Sequence, residues 1–113
     1  MDMKYKVIII ESAKHDINEI VDYIIDTSCD IKVAKKFAEK LKGKCLSLEL
    51  FPNAGSLSKD HILKARGFRF VSYKNYLIYY LVDEEDKKVY VVSIFSSKRD
   101  QMYVIKRVRS ARY

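Results

Sequence analysis

Two stretches of this chain concentrate side chains that can hold a phosphate. One is Ser96-Ser97-Lys98-Arg99-Asp100-Gln101-Met102-Tyr103, directly after a strand-like run. The other is Gly67-Phe68-Arg69-Phe70-Val71-Ser72-Tyr73-Lys74-Asn75-Tyr76, followed by the apolar run Leu77 to Val82. Guanidinium groups make planar, bidentate contacts with phosphate oxygens. Phenols present a polar tip on an apolar ring. Cleavage of RNA through the ribose 2′-hydroxyl requires activation of that hydroxyl, charge stabilisation at phosphorus and protonation of the leaving oxygen. Arg supplies the second of these, and Tyr or Lys can supply the proton. No side chain in the two stretches has an ordinary pKa suited to the base role.

Other chemistries find little footing. His15 and His61 lie far apart, with no Cys or carboxylate at ligand spacing, so no metal site is expected. His15 falls on the polar side of a helix and His61 in a loop. There is no nucleophile elbow, Walker loop or dinucleotide fingerprint, and no cofactor is expected.

The charge pattern points to an anionic partner. The net charge is +7. Residues 1–58 hold nine Lys and nine acidic residues and are neutral. Residues 59–113 hold thirteen Lys or Arg against six acidic residues and carry the whole excess. Every Arg lies in this second half. A solvated basic surface is the plain reading of such a bias. Its segregation favours nucleic acid or an acidic protein. Nine Tyr and no Trp let rings serve core and surface together. The two cysteines, Cys29 and Cys45, fit neither a redox pair nor a zinc knuckle, and both are expected to be buried or half-buried. The start, Met1-Asp2-Met3-Lys4-Tyr5, lacks the apolar stretch of a signal peptide. No segment reaches membrane-spanning length, and a cytoplasmic protein is expected.

The elements that must position these groups follow from periodicity. Tyr5 to Ile10 is a β-branched run and predicts a first strand. Ser12 is the expected N-cap of a helix with Ala13, Ile17, Ile20, Val21, Ile24 and Ile25 inward and Lys14, Asp16, Glu19, Asp22 and Asp26 outward. Asp30 caps a second helix, with the stripe Ala34, Phe37, Ala38, Leu41, Cys45 and Leu48. Phe51-Pro52 ends it. A short connection makes the two an antiparallel hairpin. After a polar loop, Asn53 to Asp60, three strands are expected: Ile62 to Tyr73 with a bend at Gly67, Tyr76 to Val82, and Lys88 to Phe95. Lys74-Asn75 fits a tight turn. A last helix carries Met102, Ile105 and Val108 on one side, with a frayed tail from Arg109.

The expected fold is therefore α+β over a single domain, residues 1–113. An N-terminal strand and an α-helical hairpin precede a three-stranded antiparallel meander. The meander completes a twisted sheet packed on the helices, and a short C-terminal helix follows. Arg69, Val71 and Tyr73 share one strand face, and Arg66 falls on the other unless Gly67 bulges. Arg69 and Arg99 are expected to converge on one concave surface. The structural alternative for Arg69 is an ion pair with Glu49; for Tyr79 and Tyr80 it is packing.

From Tyr5 to about Tyr103 the chain resembles the RelE/ParE superfamily of toxins from type II toxin–antitoxin modules. The features that carry this, in order, are the first strand with Ser12-Ala13 and Asp16-Ile17; Ile20 with Asp22-Tyr23-Ile24; Leu50-Phe51-Pro52 with Gly55; Gly67-Phe68-Arg69 leading to Tyr76-Leu77-Ile78-Tyr79-Tyr80; and Val91-Val92-Ser93-Ile94-Phe95 leading to Lys98-Arg99-Asp100. The resemblance implies a toxin held inactive by a small acidic antitoxin that wraps around it and sets the oligomeric state. RelE-like members cut mRNA on the ribosome without metal. ParE-like members bind and inhibit DNA gyrase. As a ribonuclease, this chain would place Arg69, Arg99 and Tyr103 at the reacting phosphate and hold RNA with Lys64, Arg66, Tyr73, Lys74 and Lys98. Many relatives have a His before the final Arg, where this chain has Ser96-Ser97-Lys98. The Glu of some nuclease members has no counterpart. The expectation is a metal-independent mRNA endoribonuclease, with a gyrase-binding toxin as the alternative and a decayed binding module as a third reading.

Overall fold

The computed structural model describes residues 4–113; the opening Met1-Asp2-Met3, on which the expectation of no leader rests, lies outside them. A first strand, β1 (Lys6–Ile9), leads into α1 (Glu11–Ser28) and α2 (Ile31–Leu46), which runs on into a 3₁₀ turn at Ser47–Glu49. Next come β2 (Ser56–Leu57) and α3 (His61–Ala65), then the meander β3 (Arg69–Tyr73), β4 (Tyr76–Asp83) and β5 (Lys88–Ser96), and finally α4 (Gln101–Arg109). The sheet order is β1-β5-β4-β3-β2. Strand β1 pairs parallel with β5, and the other neighbours are antiparallel. Among the described residues, no helix is long and apolar enough to cross a membrane.

Apolar periodicity dictates how these elements layer. One sheet face is covered by the helical hairpin, with Ala13, Ile17, Ile20, Leu41, Cys45 and Leu48 against Val71, Ile78, Tyr80, Val89, Val91 and Ile94. Burying each large aliphatic side chain contributes about 1.5–3 kcal/mol. The other face carries a second core in which Leu63, Val104 and Val108 meet Phe68, Tyr79, Val92 and Phe95. The meander alternates strictly enough to feed both cores, with a bulge where Tyr79 pairs with Ser93 and Tyr80 with Val91.

The expected class holds, and several local readings are corrected. Helix α1 begins at Glu11, and the Ser12 hydroxyl donates to the Val92 carbonyl 2.7 Å away instead of capping. The run from Ile62 to Tyr73 is not one bent strand. Its first part is α3, because the Asp60 carboxylate accepts from the Leu63 N–H at 3.0 Å and caps a helical turn. Gly67, at φ +86°, then turns the chain into β3. In α4 the buried residues are Val104 and Val108, while Met102 faces solvent. Cys45 is buried as expected, but Cys29 is exposed at the left-handed residue that ends α1. The tail does not fray away: Tyr113 rests its ring on Phe68 and Tyr90.

The expected Lys74-Asn75 turn is present. Lys74 takes φ 51°, Tyr73 pairs with Tyr76, and the Asn75 carbonyl accepts from the Ser97 N–H at 2.7 Å. That last bond fastens the hairpin tip to the segment after β5, where Lys98 and Arg99 lie.

Candidate functional site

A cleft of about 640 Å³ opens between α1 and the end of the sheet where the β3–β4 turn meets the β5–α4 connection. Helix α1 contributes Asp16, Glu19, Ile20 and Tyr23. The turn contributes Asn75 and Tyr76. The end of β5 and the segment beyond contribute Ile94, Phe95, Ser96, Lys98 and Arg99. One wall is thus acidic, the opposite wall basic, and the floor apolar and aromatic.

The basic wall is held by α4. The Asp100 carboxylate caps that helix by accepting from Met102 N–H at 3.1 Å. This fixes Arg99 one turn from Tyr103, with the guanidinium 4.4 Å from the ring centroid. Tyr103 packs edge-on against Phe95, with centroids 5.9 Å apart. Its hydroxyl accepts from Arg107 at 3.2 Å. Arg107 also donates to Asp16 Oδ1 at 3.4 Å. The other oxygen of Asp16 accepts from the Ile94 N–H at 3.0 Å. Asp16 therefore joins α1, β5 and α4.

Asp16 is only 3% exposed. Burial pushes its carboxyl pKa above the ordinary value, opposed by the Ile94 hydrogen bond and the Arg107 charge. The sequence reading placed it on the outer face of α1, and that is corrected. A signal was present: residues 13, 16, 17 and 20 follow the i, i+3, i+4, i+7 rhythm of one helix face, so Asp16 interrupts the apolar stripe. Arg107 carried no comparable signal. Burial also raises the phenol of Tyr76, with a further contribution from Tyr23.

The residues expected to act together fall into separate places. Lys98 and Arg99 line the cleft, Tyr103 lies beside it under Arg99 and against Phe95, and Lys74 stands exposed in the adjoining turn. Arg69 is elsewhere. It pairs across the sheet with Tyr80, whereas Tyr76 pairs with Ser96 at the cleft end. That offset of four residues is about 13 Å along the strand and about 10 Å across two strands. The Arg69 guanidinium donates to the Gly55 carbonyl at 2.7 Å. The Gly55 N–H donates to the Tyr80 hydroxyl at 2.9 Å. Arg69 thus clamps the loop before β2. The expected convergence of Arg69 with Arg99 does not occur, because strand alternation sets a side chain's face and not its end. The alternative pairing with Glu49 does not occur either; Glu49 meets Lys4 at 3.7 Å. Tyr73 is half-buried against Phe37, with centroids 5.6 Å apart. Lys64 and Arg66 lie on α3 and its end, beside the C-terminus of α4. His15 is exposed beside Glu19, and among the described residues no three His, Cys, Asp or Glu side chains are grouped to hold a metal ion.

Residues 7–101 match the family model described as ParE toxin of type II toxin-antitoxin system, parDE. The chain belongs to this ParE toxin family. It is accordingly a type II toxin–antitoxin toxin, built on the fold shared across the RelE/ParE superfamily. Solved structures agree on the fold of this ParE-family chain. The chromosomal ParDE toxin–antitoxin system from P. aeruginosa superposes with a TM-score of 0.70 at 16% identity, covering 83% of this chain and 97% of that one. A mutant RelE toxin from E. coli in the free state gives 0.59 at 18% identity, covering 92% and 97%. The RelBE2 toxin–antitoxin complex from Mycobacterium tuberculosis gives 0.57 at 17% identity, covering 82% and 98%. No curated protein matches the sequence significantly.

Proposed function

We propose that this toxin arrests cells by binding DNA gyrase, without itself breaking a covalent bond, and that a small acidic antitoxin holds it inactive. The observation that carries this is the engagement of Arg69 by Gly55, remote from Arg99. Arg69 and Arg99 do not form a phosphate clamp, and Arg107, the second guanidinium beside the Tyr103 ring, is tied to Asp16 and the Tyr103 hydroxyl. The buried carboxylate at the cleft, which could serve as a base, is already engaged: Asp16 accepts from Ile94 and Arg107. What remains is a binding surface of about 640 Å³ with opposed charged walls and an apolar floor. Such a surface suits a protein segment, because charge sets register and buried rings supply affinity. The family match supports the gyrase reading, since ParE-like toxins are the gyrase-directed branch of the superfamily. An acidic antitoxin suits the excess positive charge of residues 59–113.

Ribosomal mRNA cleavage keeps one observation in its favour: Lys98, Arg99 and Tyr103 are exposed and adjacent. Induction of the chain in cells, with mRNA ends mapped beside a DNA-damage reporter, separates the two. The proposal expects the reporter to rise while messages keep their ends. New ends within translated messages, with a silent reporter, would reverse the assignment.

A further inference from the structure

The excess positive charge is not gathered at the cleft. It is gathered where α3 and α4 end together. Arg66 donates to the Arg109 carbonyl at 3.3 Å, which places the two helix ends in contact. Lys64 and Arg66 on one side and Lys106, Arg109 and Arg112 on the other are all exposed. The tail is held there by Tyr113, whose ring lies 6.2 Å from that of Phe68 and 5.6 Å from that of Tyr90. None of the five cations makes an ion pair among the described residues. The two acids nearest in sequence, Asp60 and Asp100, cap the far ends of the same helices.

Cations in a last helical turn are favoured by the helix dipole, and Arg66 plays such a part toward Arg109. The dipole favours each such cation singly, Lys64 on α3 and Lys106 and Arg109 on α4 among them. It supplies no counter-charge for five cations around two adjoining helix ends, which repel one another until an anion arrives.

The geometry points to a second binding surface, formed by Lys64, Arg66, Lys106, Arg109 and Arg112, that holds the phosphate backbone of duplex DNA. A duplex is favoured over a single strand by what lies between the cations. Single strands are held by exposed rings on which bases stack. Here Ala65 and Ser110 are exposed, and the patch offers one ring, Tyr113, 56% exposed and leaning on Phe68 and Tyr90, in place of the row of rings on which successive bases stack. Backbone contact without base readout needs only correctly placed charge. The binding claim stands apart from gyrase. Its consequence, that the toxin grips the DNA segment gyrase is handling, rests on the function proposed above.

The test is fluorescence anisotropy of the full purified chain with a short labelled DNA duplex. Four phosphate contacts predict a roughly hundred-fold loss of affinity between about 50 and 200 mM salt. Lys64→Gln/Arg66→Gln/Arg109→Gln should bind about ten-fold or more weakly at low salt, with the slope reduced by about 0.9 per lost contact. Lys106→Gln/Arg112→Gln removes only side chains that make no hydrogen bond or ion pair among the described residues, so its weaker binding cannot be attributed to unfolding. Lys35→Gln/Lys36→Gln/Lys40→Gln removes three exposed charges from α2 and should bind as the parent does. Equal loss in the α2 variant, salt-insensitive binding, or tighter binding to single-stranded RNA of the same length would overturn the surface. A parallel supercoiling assay separates the two claims. Gyrase inhibition without DNA binding refutes this surface alone, whereas patch-dependent DNA binding without gyrase inhibition refutes only the proposed target.

Discussion

Gly55→Ala should damage this protein more than its place in a short loop suggests. A methyl carbon there would overlap the Phe70 carbonyl oxygen and stand 2.7 Å from the Tyr80 hydroxyl. Phe70 is fixed by pairing with Ser56 and Tyr79, so the loop must retreat. Retreat breaks the bond from Gly55 N–H to Tyr80 and the bond from Arg69 to the Gly55 carbonyl. A neutral hydrogen bond contributes about 1 kcal/mol and a charged one about 1.5–3 kcal/mol, so the loss should reach about 3–4 kcal/mol. For a domain of this size that lowers Tm by roughly 10–25 °C. Urea and thermal unfolding of Gly55→Ala measure it directly. Tyr80→Phe removes one of the same bonds, and the double variant should fall short of the sum of the singles. A Gly55→Ala variant within about 0.5 kcal/mol of the parent, or strict additivity with Tyr80→Phe, would refute the clamp. The clamp also changes how Arg69 variants are read: growth arrest lost in Arg69→Ala would track lost stability, not a lost catalyst.

Three further outcomes are expected. Asp16 has its carboxyl pKa raised from 3.8 by burial, so the native state binds its proton more tightly than the unfolded chain; that contribution is present below about pH 4 and is lost as pH rises through the native value. Asp16→Asn, whose amide oxygen can still accept from Ile94, should therefore gain stability relative to the parent as pH rises from acid to neutral, measured by paired urea melts, and a constant difference would contradict the burial argument. Of the two thiols, Cys29 is exposed while burial pushes Cys45 up to about 12; a thiol reagent at neutral pH should titrate one group in the native protein and two after unfolding, and rapid reaction of both would be the contrary result. Arg107→Gln should loosen α4 by removing its bonds to Asp16 and Tyr103, seen as faster amide exchange in residues 101–109 with little change in α2, and uniform exchange would count against the tie.

Much of the architecture was legible because long periodic segments leave little choice. The helical hairpin, the meander and its Lys74-Asn75 turn follow from stripes and from a turn that tolerates φ > 0. Helix α3 was not legible: His61-Ile62-Leu63-Lys64-Ala65 is short and apolar enough to continue a strand, and only the cap at Asp60 and the turn at Gly67 decide against it. The site was half-legible. Lys98, Arg99 and Tyr103 are neighbours along the chain, so their proximity needed only a helix start at Asp100. Arg69 sits at the far end of β3, four residues along the sheet from the cleft, which depends on strand register and length. Asp16 was hidden by its chemistry, since a carboxylate is ordinarily assigned outward. Lys64 and Arg66 were grouped by charge with Arg99, whereas the fold groups them with Arg109.

Inhibition of gyrase supercoiling by the purified toxin, run beside end-mapping of a message on translating ribosomes, tests the proposed function most directly. The account predicts relaxed plasmid with gyrase and an intact message on the ribosome. A cleaved message together with uninhibited supercoiling would contradict it.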